Sequence, residues 1–214
     1  MYNFIMNRQI VSLGDFTFTS SYTILTYRAY KSKSTAGISF YWTLFSFLSG
    51  FFTLIEKPLM LFVRLGGLSR MICVGSVIYM QIKFPLASNR FRELKFMYYC
   101  AILGFILLIS TMFRFLRFID LSFWCDVFAI ASQSKIFQTS RNITNFDWYF
   151  ILLYMISIGF RLFYAFAYSL ISFEINMWVD FFACSFIFLY AFDFLYFYIV
   201  CLMKPKEDIP EQPN

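Results

Sequence analysis

Residues 177–202, MWVDFFACSFIFLYAFDFLYFYIVCL, contain two charged side chains, Asp180 and Asp193, among residues that are almost all aromatic or aliphatic. A helix needs ~20 predominantly apolar residues to cross a bilayer, and a run like this has no polar face to offer water. Several other runs in the chain approach the same length. Composition agrees: 60% of the 214 residues are apolar and 14% charged, against about 25% charged in an ordinary soluble domain. The 32 Phe and 15 Tyr exceed what one soluble core of this size can bury. The sequence predicts a single all-α integral membrane domain.

Seven spans are expected, near 10–27, 38–55, 65–82, 95–113, 120–137, 147–169 and 177–202. The first is the most polar, carrying Gly14, Asp15 and a Thr/Ser string at 17–23, and is neither apolar enough nor cleavable-looking enough for a secretory signal. Short linkers make residues 1–203 one domain. The tail from Lys204 to Asn214, KPKEDIPEQPN, reads as a disordered extension, charged and with no apolar face.

Lys and Arg set the orientation. With seven spans, the connectors near 28–37, 83–95 and 135–146 share a side with the C-terminus. That side carries eleven cations: Arg28, Lys31, Lys33, Lys83, Arg90, Arg92, Lys95, Lys135, Arg141, Lys204 and Lys206. The opposite side carries six: Arg8, Lys57, Arg64, Arg70, Arg114 and Arg117. The positive-inside rule puts the tail in the cytosol and the N-terminus across the membrane. The net charge of +6 is thus a matter of topology and anionic headgroups rather than nucleic acid.

Several chemistries are excluded. There is no His, which removes common zinc sites, His-based triads and histidine pH switches. The five Cys are scattered singly in apolar runs, and no phosphate-binding or metalloprotease motif occurs. No cofactor and no enzymatic activity is expected. What hydropathy leaves unexplained is charge within the spans: Asp15, Glu56, Asp126, Arg161 and Asp193. A charge at bilayer depth costs ~2.5–3.5 kcal/mol on the gentlest scale, so it meets a partner or a polar cavity. Two readings follow, a structural ion pair or a cavity in which Arg161 faces Asp126 or Glu56. Tyr164 and Tyr168 share a helical face with Arg161.

Four stretches carry a resemblance. "YKSKSTAGIS" at 30–39 is similar to the first cytosolic turn of the endoplasmic-reticulum lumen protein retaining receptors, the KDEL receptors. "NRFRELKF" at 89–96, "FRLFY" at 160–164 and "FDFLYFYI" at 192–199 resemble, in the same order, the segment before their fourth helix and motifs of their sixth and seventh. The resemblance covers nearly the whole chain. It implies a SWEET/PQ-loop-like pair of three-helix bundles joined by a linking helix. It implies a receptor that captures C-terminal KDEL/HDEL-like tetrapeptides of escaped ER proteins in the Golgi and returns them in COPI vesicles. The membranes are then those of the ER and cis-Golgi, with the N-terminus luminal.

Position by position, the resemblance assigns signal-peptide binding to Arg8, Glu56, Asp126, Arg161, Tyr164 and Tyr168, a conformational switch to Asp193 and coat recognition to Lys204 and Lys206. Asp126 shortens a family Glu, and Tyr168 replaces a Trp. The second-helix Arg that grips the peptide carboxylate falls on Thr53, the Asp one turn on becomes Glu56, and the first-helix His falls on Phe18. The Arg ending the sixth helix falls near Ile171, and Arg8 lies three residues from the place of the first-helix Arg. Lys57, Arg64 and Arg70 are the cations available to substitute. Any pH response would rest on a carboxylate, with Asp126 and Glu56 the candidates. The alternative is a PQ-loop/SWEET-type transporter, or a diverged relative that no longer binds the signal.

Overall fold

The basic patch at 28–39 is built as a helix stop. Lys33 takes a left-handed backbone at φ 50°. Its N–H reaches the Tyr30 carbonyl, and the next N–H, of Ser34, reaches Ala29, each at 3.3 Å. That pair of bonds is the Schellman closure of a helix C-terminus. Gly37, at φ 79°, then reverses the chain. A Cβ there would lie 2.1 Å from the Asn142 carbonyl oxygen, so only glycine fits.

The computed structural model describes residues 2–55, 61–84, 98, 102, 104–106, 109, 118–140, 142–171 and 175–203. Among these the structure is all-helical. The helices are α1 (Tyr2–Ser32), α2 (Phe40–Ile55), α3 (Leu61–Lys83), α4 (Phe118–Ser140), α5 (Trp148–Ile171) and α6 (Ile175–Met203). Residues 98, 102, 104–106 and 109 are helical too, within the expected fourth span. Of the described helices, two are long and apolar enough to cross a membrane, at Arg64–Lys83 and Phe181–Met203; the apolar helices Phe40–Ile55 and Trp148–Tyr164 are shorter.

The six helices close into a ring. In the first half α3 packs against both α1 and α2, in the second α6 packs against both α4 and α5, and α1–α5 and α2–α4 contacts join the halves. Exchanging α1 with α4, α2 with α5 and α3 with α6 reproduces the same set of contacts. The equivalence extends to hydrogen bonds. The Ser32–Phe40 and Ser140–Trp148 connectors have equal length. Ile38 N–H donates to Thr35 at 3.1 Å as Phe146 N–H does to Ile143 at 2.9 Å, and Thr43 N–H reaches Ser39 as Ile151 N–H reaches Asp147.

Side chains then staple the first connector. Gln133 of α4 accepts from the Ser39 N–H at 2.9 Å and donates to the Gly37 carbonyl at 2.7 Å. Gln81 of α3 donates to Ile38 O, and Asn145 donates to Ala36 O. Four backbone groups of this buried turn, the Ser39 N–H and the carbonyls of Ala36, Gly37 and Ile38, are thus given partners, as burial requires.

An aromatic layer lies just inside the connectors. Tyr22, Trp42, Phe137, Phe150 and Phe194 are fully buried, with ring centroids 4.8–6.3 Å apart across Phe137–Phe194, Trp42–Phe150 and Tyr22–Phe150. The polar α1 joins this core because its hydroxyls are satisfied within the helix: Thr19 donates to Asp15 O, Ser20 to Phe16 O, Thr23 to Thr19 O and Thr26 to Tyr22 O. Back-bonded Ser and Thr present mainly carbon outward, which is why a helix that hydropathy scores as polar can sit among apolar ones.

Candidate functional site

Two turns from Tyr22 along α1 (~10 Å) and three from Phe150 along α5 (~16 Å), at 1.5 Å per residue, four buried charges converge. Asp15 comes from α1, Arg70 from α3, Asp126 from α4 and Arg161 from α5; none is more than 8% exposed. Arg161 donates one terminal nitrogen to Asp126 and the other to Asp15, the latter at 2.5 Å. Arg70 binds Asp126 through both terminal nitrogens, the weaker bond at 3.3 Å. One carboxylate therefore serves two guanidiniums, one from each half of the ring. The cluster is formally neutral.

The surroundings are shaped to the charges. The Arg70 guanidinium lies over the Phe18 ring, 4.0 Å from its centroid, a cation–π contact that partly replaces lost hydration. Phe18 stacks in turn on Tyr22. Gly66 makes room for Asp15, since a Cβ there would come within 3.0 Å of its carboxylate. Asp15 Oδ2, Ser157 Oγ and the Nε atoms of Arg70 and Arg161 are buried without a hydrogen-bond partner. An isolated pair or cluster of charges at this depth is tolerated only when its members neutralise one another, and these do.

The expected site residues fall into three groups. Asp126 and Arg161 meet directly, as one reading of the sequence required. Tyr164, on the next turn of α5, is half-buried and packs against the core. Asp193, the expected switch, is half-buried on α6 and accepts hydrogen bonds from Ser134 and Gln138 of α4, the second at 3.1 Å. Glu56, Lys204 and Lys206 lie outside the described residues, as do the side chains of Arg8 and Tyr168 on α1 and α5.

Two members of the cluster lay outside the assigned site residues, although Arg70 was one of the cations available to substitute. Arg70 was counted among the cations flanking the membrane, and this is corrected: it lies inside α3 and is fully buried. A charge near one end of an apolar run reads as flanking because sequence gives no rotation about the helix axis. Arg64, on the same helix, is exposed. Asp15 was noted as a charge within the first span, without a partner. Thr53, where the resemblance puts the carboxylate-gripping Arg, instead joins Ser49 and Ser122 in a hydroxyl cluster between α2 and α4, with bonds of 2.9 Å.

No protein-family model matches the chain, and no curated protein matches it by sequence.

Proposed function

We propose that the chain is a divergent retention receptor: a seven-span membrane protein that binds C-terminal KDEL/HDEL-like tetrapeptides in the Golgi and returns their bearers to the ER. The observation that carries this reading is the meeting of Arg70 and Arg161 on the Asp126 carboxylate. A peptide's free C-terminus offers the same group, and a guanidinium fork recognises it in the same bidentate way. Arg70, entering from α3, supplies the second cation that Thr53 cannot. In this mechanism the ligand carboxylate takes the place of Asp126 between the two arginines, and the α2–α4 and α1–α5 seams yield to admit it. The contact pattern of two equivalent three-helix sets supports a PQ-loop-like arrangement with a linking helix between them.

The membrane setting is supported by the outer surface of α6, where Phe182, Phe186, Leu189, Phe192, Tyr196 and Leu202 are exposed; so large an apolar face on a single helix needs a partner or a lipid solvent. Removing Arg70 from the flanking cations sharpens the bias that puts the tail in the cytosol, where Lys204 and Lys206 would meet the COPI coat. The test is binding of fluorescent tetrapeptides ending in DEL to the purified protein at pH 5.5 and 7.4, each with a free or amidated C-terminus. Binding that needs the free carboxylate supports the receptor. A second reading, a transporter of the same architecture without signal binding, draws on the neutrality of the cluster, in which each arginine already has an acid. Well-folded protein that ignores every tetrapeptide would decide for it.

A further inference from the structure

Away from the charge cluster, a cavity of about 550 Å³ opens on the outer surface where α1 ends and α5 begins. Tyr27, Arg28 and Lys31 line it from α1, Asp147 and Tyr149 from the start of α5. Arg28 and Asp147 form an ion pair across it. The pair fixes the guanidinium at the mouth while leaving the Arg28 side chain 46% exposed. Lys31, three residues on and on the same helical face, is exposed as well. The cavity thus holds two cations and one acid.

Two exposed stripes lead away from it. On α5 they are Tyr149, Leu152, Ile156 and Phe163; on α1 Tyr27, Thr23, Ser20 and Phe16. Each follows one helix face, in steps of three or four residues with one double step from Ile156 to Phe163. The Ser20 and Thr23 hydroxyls are turned back onto their own helix, so the α1 stripe is largely carbon at its surface. A cationic pocket flanked by two exposed Tyr, continuing into apolar stripes on both helices, matches an amphiphile with an anionic head.

We propose that this cavity is a binding site for an anionic phospholipid, with the phosphate between Arg28 and Lys31 and an acyl chain along the α1–α5 seam. The site rests on the membrane reading above and not on the receptor reading. Basic pockets between helices at the cytosolic surface are the usual setting for such headgroups. The lipid would tie the first half of the ring to the second at the connector end, away from the charge cluster.

The full chain is reconstituted in nanodiscs of phosphatidylcholine carrying a minor fraction of phosphatidylserine with the same acyl chains. Co-purified lipid is then counted by native mass spectrometry. Phosphatidylserine should be enriched over phosphatidylcholine. Lys31→Ala should cut that enrichment about fivefold, as loss of one interfacial cation does, and Lys31→Arg should restore it. Tyr149→Ala, which leaves both cations in place, should weaken retention of both lipids. Equal retention of the two lipids, or enrichment unchanged in Lys31→Ala, overturns the site. Complete displacement by inorganic phosphate also overturns it, in favour of a free-phosphate site. Protein that stays soluble without detergent or lipid overturns the membrane reading itself, a failure distinct from reconstitution without preference.

Discussion

Arg70 and Arg161 approach from opposite halves of the helix ring and close on the same carboxylate, that of Asp126. The seam between the halves is therefore held, at this depth, by electrostatics in a place that water does not reach. Asp126→Asn keeps the shape and removes the charge, leaving Arg161 with Asp15 and Arg70 without its acid. Breaking one member of a buried ion cluster costs ~3–5 kcal/mol, so the thermal unfolding temperature in detergent should fall sharply. Adding Arg70→Met to Asp126→Asn removes the stranded cation and should recover part of the loss. A double mutant as unstable as the sum of its parts would mean that the two side chains do not interact energetically.

Backbone packing at the first connector gives a second expectation. Gly37→Ala places a methyl 2.1 Å from the Asn142 carbonyl oxygen, so the two connectors must separate. The cost should exceed the ~1–2 kcal/mol of the left-handed conformation alone. Gly159, on α5, is the internal control, because a Cβ there meets nothing within 4 Å; Gly159→Ala should be neutral or stabilise by ~0.5–1 kcal/mol. Equal unfolding temperatures for the two variants would contradict the close approach.

Topology has a reporter in the second connector. Asn142-Ile143-Thr144 is the only N-x-[ST] acceptor in the sequence. The Asn142 side-chain oxygen accepts from both the N–H and the hydroxyl of Thr144, the latter at 2.6 Å. With the connector in the cytosol no glycan is added. An endoglycosidase-sensitive mass shift that vanishes in Asn142→Gln would invert the topology and remove the receptor proposal with it.

The helices were legible because each described one follows an apolar run whose ends carry small, hydroxylated or basic residues. Boundaries moved outward on α1, α3, α4 and α6, furthest on α1, which starts at Tyr2 rather than near residue 10, whereas α2 and α5 start one or two residues inside the expected spans. Its Ser and Thr lower hydropathy but satisfy themselves against carbonyls one turn back, a saving invisible to a sliding window. The charge cluster was legible only in part. Asp126 and Arg161 could be suspected from their cost in an apolar run, whereas Arg161 and Asp15 are separated by 146 residues and no local pattern links them. The equivalence of the two connectors was hidden as well: "STAGIS" and "NITNFD" share geometry through turn bonds that many residue types can make.

The tail tests the transport half of the proposal separately from the binding half. Lys204 and Lys206 directly follow α6, where they serve equally as membrane-flanking cations or as a coat signal. Lys204→Ala with Lys206→Ala should leave folding and peptide binding unchanged while the protein accumulates in the Golgi by fluorescence microscopy. An unchanged distribution assigns the lysines to flanking alone.

Arg70 decides whether the cluster is a lock or a receptor. Its guanidinium lies over the Phe18 ring and gives two bonds to Asp126, and the pair of bonds depends on a planar fork. Arg70→Lys keeps the cluster neutral but replaces the fork with a point charge. Stability should then fall by only ~1.5–3 kcal/mol, the scale of one hydrogen bond to a charged group, because no acid is left without a cation nearby. Tetrapeptide affinity should fall at least about tenfold, equivalent to ~1.4 kcal/mol, because a carboxylate entering between the arginines loses its bidentate partner. Arg161→Ala is different in kind: it strands Asp15 and lowers both stability and binding. The informative result is therefore the separation of the two properties in Arg70→Lys. If that variant binds tetrapeptide like the wild type while Arg161→Ala does not, Arg161 alone reads the carboxylate and Arg70 only holds Asp126 in place.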